Sequence, residues 1–168
     1  EWSSLQREAT RFQPETILFS ELFDEVITII NEQAFQKNIT VKKHLNKQLQ
    51  WEADRNMLKS VLRNLLTNAI KFSRPDGEIT LSAQKTNSHL EIAVADNGVG
   101  MPKEFAGKLF KNEFNDSKKG TANEKGSGLG LSLCKEFIGL HGGKIGVNSE
   151  LNKGTQIKFT LPPNPSKK

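Results

Sequence analysis

Apolar positions change their period several times along this chain, and each change marks an element. From Ser20, the spacing of Leu22, Phe23, Val26, Ile29 and Ile30 predicts a helix, with Ser20 as its N-cap and Asn38 as its end. Residues 39–45 alternate as a strand, and 50–53 read as a second short one. Asp54 then caps the strongest helix, running to about Phe72, with Leu58, Val61, Leu62, Leu65, Leu66, Ala69 and Ile70 on one broad face. Arg74-Pro-Asp-Gly77 is a turn. Two strands follow, Ile79, Leu81 and Ala83 in phase on one and Leu90, Ile92 and Val94 on the other, joined by a hairpin loop at Thr86-Asn-Ser-His89. A short helix has Pro102 near its first turn and Phe105, Leu109 and Phe110 as apolar positions. Lys111 to Ser127 shows little periodicity and reads as a long mobile loop. A helix from about Leu129 to Leu140 stops at Gly142-Gly143, and strands at about 144–149 and 155–161 close the pattern. Before all of these, Glu1 to about Arg11 reads as the end of a helix carrying Trp2 and Leu5, with Pro14 marking the break.

Strands that are partly adjacent and partly separated by helices imply an α+β fold. The expectation is a two-layer α/β sandwich, its mixed sheet of five strands (or slightly more) covered on one face by about three helices. At 168 residues the chain suits one well-packed domain, expected over 14–162, with a preceding segment 1–13 and a disordered Pro-rich tail over 163–168. Composition changes this little: 35% hydrophobic and 26% charged residues are ordinary for a soluble domain. No apolar run reaches the ~18 residues of a membrane span, and no secretory signal opens the chain. A single cysteine, Cys134, fits a reducing cytosol, and neither it nor the three histidines has zinc-type spacing. A formal charge of +5 is spread over 24 basic and 19 acidic residues, clustering only at Lys42-Lys43, Lys118-Lys119 and Lys167-Lys168. That scatter lacks the stripe of a nucleic-acid binder, while a basic balance suits a site for a polyanion such as a triphosphate.

Three features carry candidate chemistry. Asn64, Asn68 and Lys71 stand at i, i+4 and i+7 on the long helix, within roughly 60° of one another and roughly opposite the centre of its apolar face. They read either as a solvated side or as amide oxygens for a magnesium ion with a lysine for a phosphate. Asparagine is a poor mid-helix residue, costing about 0.6 kcal/mol relative to alanine each time, which favours the second reading. Asp96 continues the phase of Leu90, Ile92 and Val94, so its carboxylate points toward the core, where it needs hydrogen-bond donors. It reads either as a turn cap in Asp-Asn-Gly or as an acceptor for a ligand donor such as the exocyclic amine of adenine, with Gly98 and Gly100 letting the backbone pass close to the base. Gly126-Ser-Gly-Leu-Gly130 opens a helix, where phosphates are held, but a glycine-rich loop alone is weak evidence. No dinucleotide-binding setting, Walker loop or protein-kinase motif set accompanies it.

Their order removes the ambiguity. Arg63-Asn-Leu-Leu-Thr-Asn-Ala-Ile-Lys-Phe-Ser73, Asp96-Asn-Gly-Val-Gly100, Leu109-Phe110, Gly126-Ser-Gly-Leu-Gly-Leu131 and Gly154-Thr155 resemble, in sequence, the N, G1, F, G2 and G3 boxes of sensor histidine kinases. Those kinases share a superfamily with gyrase, Hsp90 and MutL. The resemblance covers about residues 15–162 and implies the Bergerat ATP-binding fold. It implies that Asn68 chelates Mg, that Lys71 reaches the phosphates, that Phe72 walls the nucleotide, and that Asp96 accepts from the adenine amine. Gly126, Gly128 and Gly130, with Ser127 and Leu129, would form the phosphate cradle, Thr155 would line the adenine side, and Lys111 to Lys125 would be the ATP lid. Lys118, Lys119 or Lys125 would bring the phosphate charge that an arginine often brings elsewhere. The usual F box spaces its phenylalanines three apart, whereas Phe110 and Phe114 are four apart.

Asn64 and Lys71 are the residues the resemblance places at the catalytic step. In the Hsp90-like and MutL-like ATPases the position of Asn64 is a glutamate that activates water; an asparagine cannot take up that proton. Transfer to an external nucleophile is therefore favoured over hydrolysis, and in this family the acceptor is a histidine on a helical dimerisation hairpin. Glu1-Trp-Ser-Ser4 resembles the end of that hairpin. His44, His89 and His141 do not suit the acceptor role: a strand end, a hairpin loop and a helix terminus. The resemblance thus implies a cytoplasmic two-component kinase module that binds ATP and Mg, with the dimerisation domain and a response regulator receiver as partners. The fragment would be monomeric, the full kinase a homodimer. A nucleotide-binding regulator, an anti-sigma-like serine kinase and a slow ATPase are the alternatives.

Overall fold

A computed structural model describes residues 11–111, 121 and 130–164. Outside the described residues lie the expected helix end with Trp2 and Leu5, Phe114, the lysines Lys118, Lys119 and Lys125, the loop Gly126, Ser127, Gly128 and Leu129, and the last residues of the tail.

The elements run β1 (Glu15–Leu18), α1 (Phe19–Gln36), β2 (Thr40–His44), β3 (Gln50–Ala53), α2 (Arg55–Phe72), β4 (Glu78–Lys85), β5 (Leu90–Asp96), α3 (Lys103–Lys108), α4 (Gly130–Leu140), β6 (Lys144–Glu150) and β7 (Gly154–Leu161). Five strands form one sheet in the order β2-β4-β5-β7-β6. The β2–β4 pair is parallel and the other pairs antiparallel. Helices α1, α2 and α4 pack against one face of this sheet. The expected two-layer sandwich with a mixed five-stranded sheet is therefore what forms.

Register turns the alternation of each strand into rows of inward side chains across the sheet. One row is Ala83, Ile92, Phe159 and Ile145, and the next is Leu81, Val94, Ile157 and Val147. Both are apolar, and α2 lies against them with Leu58, Val61, Leu62, Leu65 and Leu66, all almost fully buried. The row beyond is Ile79, Asp96, Thr155 and Ser149. At this end of the sheet the inner face turns from hydrocarbon to hydrogen-bonding groups.

Three expectations need correction. First, β1 had no sequence signal and pairs antiparallel with β3 as a separate two-stranded sheet. Four residues are too few to display alternation, and Pro14 masked the start. Second, because β1 runs straight into α1, Leu18 rather than Ser20 occupies the N-cap, with no side-chain cap bond. The Ser20 hydroxyl instead donates to the Lys47 carbonyl at 3.0 Å. Third, Ile29 is 44% exposed. Phe19, Leu22, Phe23, Val26, Ile30 and Ala34 centre the buried face, and Ile29 lies roughly 90° from that centre at about 100° per residue. The Asp54 cap is as expected: its Oδ1 accepts from the Met57 N–H at 3.0 Å.

Candidate functional site

The polar row of the sheet meets the last turns of α2. The Val99 N–H donates to the Phe72 carbonyl at 3.1 Å, tying the loop after β5 to the helix end. Gly98 is required here because a Cβ would overlap that same carbonyl. Gly100, at φ +62, lies so close to the Glu150 carbonyl that a Cβ would overlap it, and Gly154, at φ +113, packs the same way on the Asp96 backbone. Both Gly98 and Gly100 thus make a close approach to the protein's own chain. These glycines pull β5, the β6–β7 turn and the end of α2 into one corner.

Asp96 stands in that corner. Its Oδ1 accepts from the Gly98 N–H at 2.9 Å. Burial pushes its carboxyl above the usual aspartate range, and the Gly98 and Thr155 backbone N–H groups pull it part of the way back. Beside it, Thr155 Oγ1 lies 2.7 Å from Ser149 Oγ. Asp96 therefore caps its own turn, and its carboxylate is half-buried.

On α2, Asn64, Asn68 and Lys71 do not form a solvated side. Lys71 is 7% exposed, with its Nζ 5.0 Å from the centre of the Phe72 ring, and both asparagines are half-buried. Helix α4 packs across α2 and starts at Gly130 beside Asn64; a Cβ at Gly130 would stand 3.4 Å from Asn64 Oδ1. Cys134, one turn along α4, is buried, and burial pushes its thiol up to about 12 despite the Asn64 amide beside it. Among the described residues the Asn68 amide takes no hydrogen bond. The helix backbone itself is well finished. Ser73 Oγ donates to the Ala69 carbonyl at 2.7 Å, and Lys37 Nζ donates to the carbonyls of Ile70 and Lys71 at 2.9 and 3.0 Å. Thr121 donates from its N–H to the Lys71 carbonyl at 3.0 Å and from its hydroxyl to the Ser73 carbonyl at 2.6 Å.

Amide oxygens, a buried ammonium group and a carboxylate with a hydroxyl neighbour thus meet around the end of one helix. That is a donor and acceptor set for a phosphorylated ligand with a base bearing hydrogen-bond donors. Sequence similarity agrees. Residues 53–165 match the family of histidine kinase-, DNA gyrase B- and HSP90-like ATPases.

The chain belongs to that family.

Within it the likeness is to histidine kinases. The adaptive-response sensory kinase SasA of Synechococcus elongatus is 34% identical over 157 residues, covering 92% of this chain and 40% of that protein. Sporulation kinase C of Bacillus subtilis is 32% identical over 157 residues, covering 89% of this chain and 35% of that protein. The chain therefore spans well under half of these relatives. The solved catalytic domain of histidine kinase ThkA superposes with a TM-score of 0.79 at 32% identity, covering 93% of this chain and 99% of that one. This is an ATP-binding catalytic domain of the histidine-kinase type.

The structure pairs Asp96 with Thr155, sets Gly98 on the Phe72 carbonyl, Gly100 on Glu150, Lys71 by the Phe72 ring and Gly130 beside Asn64, with Asn68 one turn on along α2, while the rest of the expected cradle lies outside the described residues. Sequence reasoning missed Ser149 and Lys37. Ser149 was findable: it is in phase with Ile145 and Val147, as Asp96 is with Val94. Lys37 gave no local signal, since it reaches carbonyls more than thirty residues away. His141 is structural, as expected of a helix-terminal histidine. Its Nδ1 faces the Phe137 carbonyl at 2.7 Å, and its Nε2 accepts the Asp54 N–H at 3.0 Å.

Proposed function

We propose that residues 14–162 form a catalytic domain that binds ATP in this corner and delivers its γ-phosphate to a histidine on a dimerisation hairpin of the same kinase. One observation carries the reading: the inward polar pair Asp96 and Thr155 lies where the loop after β5 is tied to the end of α2, whose last turns carry Asn64, Asn68 and Lys71. Asp96 accepts from the adenine amine and Thr155 lines the same edge. Phe72 walls the nucleotide, and Lys71 adds positive charge near the phosphates. Gly126, Gly128 and Gly130, with Ser127, Leu129 and Lys125, cradle the phosphates at the start of α4.

Among the described residues no three His, Cys, Asp or Glu side chains converge as a metal site. The available donors are neutral amide oxygens, and the Asn68 amide is half-buried without a partner there. Such hard oxygens fit a magnesium ion that arrives with a triphosphate. Asn68 would hold it with Asn64 beside it, and the ion would supply charge neutralisation on the phosphate oxygens. Asn64 cannot take a proton from water, so this corner favours an incoming nucleophile over hydrolysis. The chain's residues then act by positioning: a histidine nitrogen forms the bond to the γ-phosphorus as the bond to the β–γ bridging oxygen breaks and ADP leaves.

Partners follow from the same reading. ThkA has been solved in complex with the response regulator TrrA, and that structure superposes with a TM-score of 0.77 at 26% identity. A receiver domain is the expected downstream partner here, with the full kinase a cytoplasmic homodimer and this piece monomeric. No helix among the described residues is long and apolar enough to cross a membrane. The test is calorimetry with ATP and magnesium, then labelled-phosphate transfer to a supplied histidine-bearing hairpin. Failure to bind ATP sinks the reading; binding without transfer, with a competent hairpin present, leaves a nucleotide-binding regulator.

A further inference from the structure

The side chain of Lys37 reaches the end of α2 from a different element. Lys37 stands just past α1 and is buried, yet its Nζ donates to the carbonyls of Ile70 and Lys71, 33 and 34 residues away, at 2.9 and 3.0 Å. A lysine is almost never so buried without close partners, because its charge has to leave water. A helix C-terminus does not require one: water or a local hydroxyl satisfies its last carbonyls, as Ser73 Oγ does for Ala69 at 2.7 Å. Nor is the ammonium group needed to join α1 to α2, since other contacts already do so. The Asp76 N–H donates to the Lys37 carbonyl at 3.2 Å, the Thr40 N–H donates to the Gly77 carbonyl at 3.0 Å, and the Asn38 amide bonds the Asp76 carboxylate.

What the Lys37 side chain adds falls on a single turn. Its two bonds take consecutive carbonyls, those of Ile70 and Lys71. The Thr121 N–H also donates to the Lys71 carbonyl, at 3.0 Å, and the Val99 N–H holds the carbonyl that follows, that of Phe72, at 3.1 Å. This turn carries Lys71 and Phe72, which the proposed function assigns to the phosphates and to the wall of the nucleotide. In a helix the backbone sets the direction of each Cα–Cβ bond, so fixing these carbonyls fixes where the Lys71 side chain starts and where it can aim. We infer that Lys37 is a positioning residue for phosphate binding: its bonds to the Ile70 and Lys71 carbonyls hold the turn that aims Lys71 at the phosphates. Lys37 acts through Lys71. This deepens the ATP-binding reading and rests on it.

The test compares Mg-ATP with adenosine on the full 168-residue chain, by calorimetry for ATP and by displacement of ATP for adenosine. Lys37→Met keeps most of the apolar stem and removes the ammonium group. In a variant with native circular dichroism, ATP affinity should fall about tenfold, the scale of one charge-assisted contact. Adenosine should bind within twofold of the parent, because Asp96 and Thr155 are untouched. In a Lys71→Ala background the same change should lower ATP affinity by no more than about threefold, since the aim of an absent side chain cannot matter. A merely structural role gives a lower Tm with ATP affinity within twofold of the parent, or equal weakening of ATP and adenosine, and either result overturns the inference. A full tenfold loss in the Lys71→Ala background also overturns it, since Lys37 would then act without Lys71. Should Lys37→Met fail to fold, Lys37→Gln, with an uncharged donor on a shorter stem, is read by the same criteria. A parent chain that binds neither ligand is a different outcome, sinking the ATP reading itself and this inference with it.

Discussion

The two ends of helix α2 are built for opposite purposes. At its start every group of Asp54 is used by the protein: Oδ1 takes the Met57 N–H, Oδ2 takes the Gln13 N–H at 2.8 Å, the carbonyl takes the Leu58 N–H, and the Asp54 N–H goes to His141. Phe12 stacks edge-on against the His141 ring at 4.8 Å, so the incoming segment closes over this end. At the other end the backbone is equally well paired, yet the Asn68 amide and the Asp96 carboxylate keep acceptor capacity that no described residue consumes. A polar group spent on the protein supports the fold; one that the fold holds in place and leaves unspent can serve a ligand.

The largest test of this contrast is Asn68→Ala and Asp96→Asn, each expected to weaken ATP binding by about 10–100-fold, the scale of a charge-assisted hydrogen bond or an ion ligand, with native circular dichroism retained. Asp96→Asn carries a second expectation. Because burial raises the folded-state pKa of Asp96, its contribution favours folding at low pH and is lost as pH rises through the raised value. At neutral pH the ionised group opposes folding, so the nucleotide-free variant should melt no lower than the parent. ATP affinity should fall on acidification from a higher pH than an ordinary aspartate would set.

At the closed end, Asp54→Ala should do the reverse. It removes a cap and the Gln13 contact, costing about 2 kcal/mol, or roughly 4–8 °C in Tm, with ATP affinity within twofold of the parent. Loss of ATP binding at unchanged stability would break the comparison. His141 gives a smaller, pH-dependent effect. Burial lowers its pKa against the opposing influence of the Phe137 carbonyl and the Asp54 charge. Its neutral form is the folded one, so its contribution is complete above about 6.5, the ordinary histidine value, and is lost as pH falls through the lowered folded value. Melting curves should show this acid loss in the parent and less of it in His141→Gln. Smallest is Cys134. A buried thiol raised to about 12 should react with thiol reagents at pH 8 only as fast as the domain opens.

What could be read from the sequence follows the reach of each interaction. Strand phase put Asp96 on the inner face, and helical spacing grouped Asn64, Asn68 and Lys71, because both are periodic and local. Spacing could not say that α4 would start beside Asn64, since nothing in α2 records its neighbour. Ser20 misled for a related reason. A serine before an apolar stripe is a sound cap signal, but β1 enters the helix directly and the hydroxyl is taken by Lys47. Gly98 and Gly100 read as places of close approach, but Phe72 and Glu150 could not be named as the backbones they meet, because both are distant in sequence.

Lys37 has a consequence for the field at the open end. A helix C-terminus carries roughly half a negative charge, a poor neighbour for a triphosphate. Only 8% exposed, Lys37 sets its ammonium group against the carbonyls of Ile70 and Lys71, covering that negative pole with a full positive charge. The helix can then end beside a polyanion without repelling it, screened by a residue from a different element.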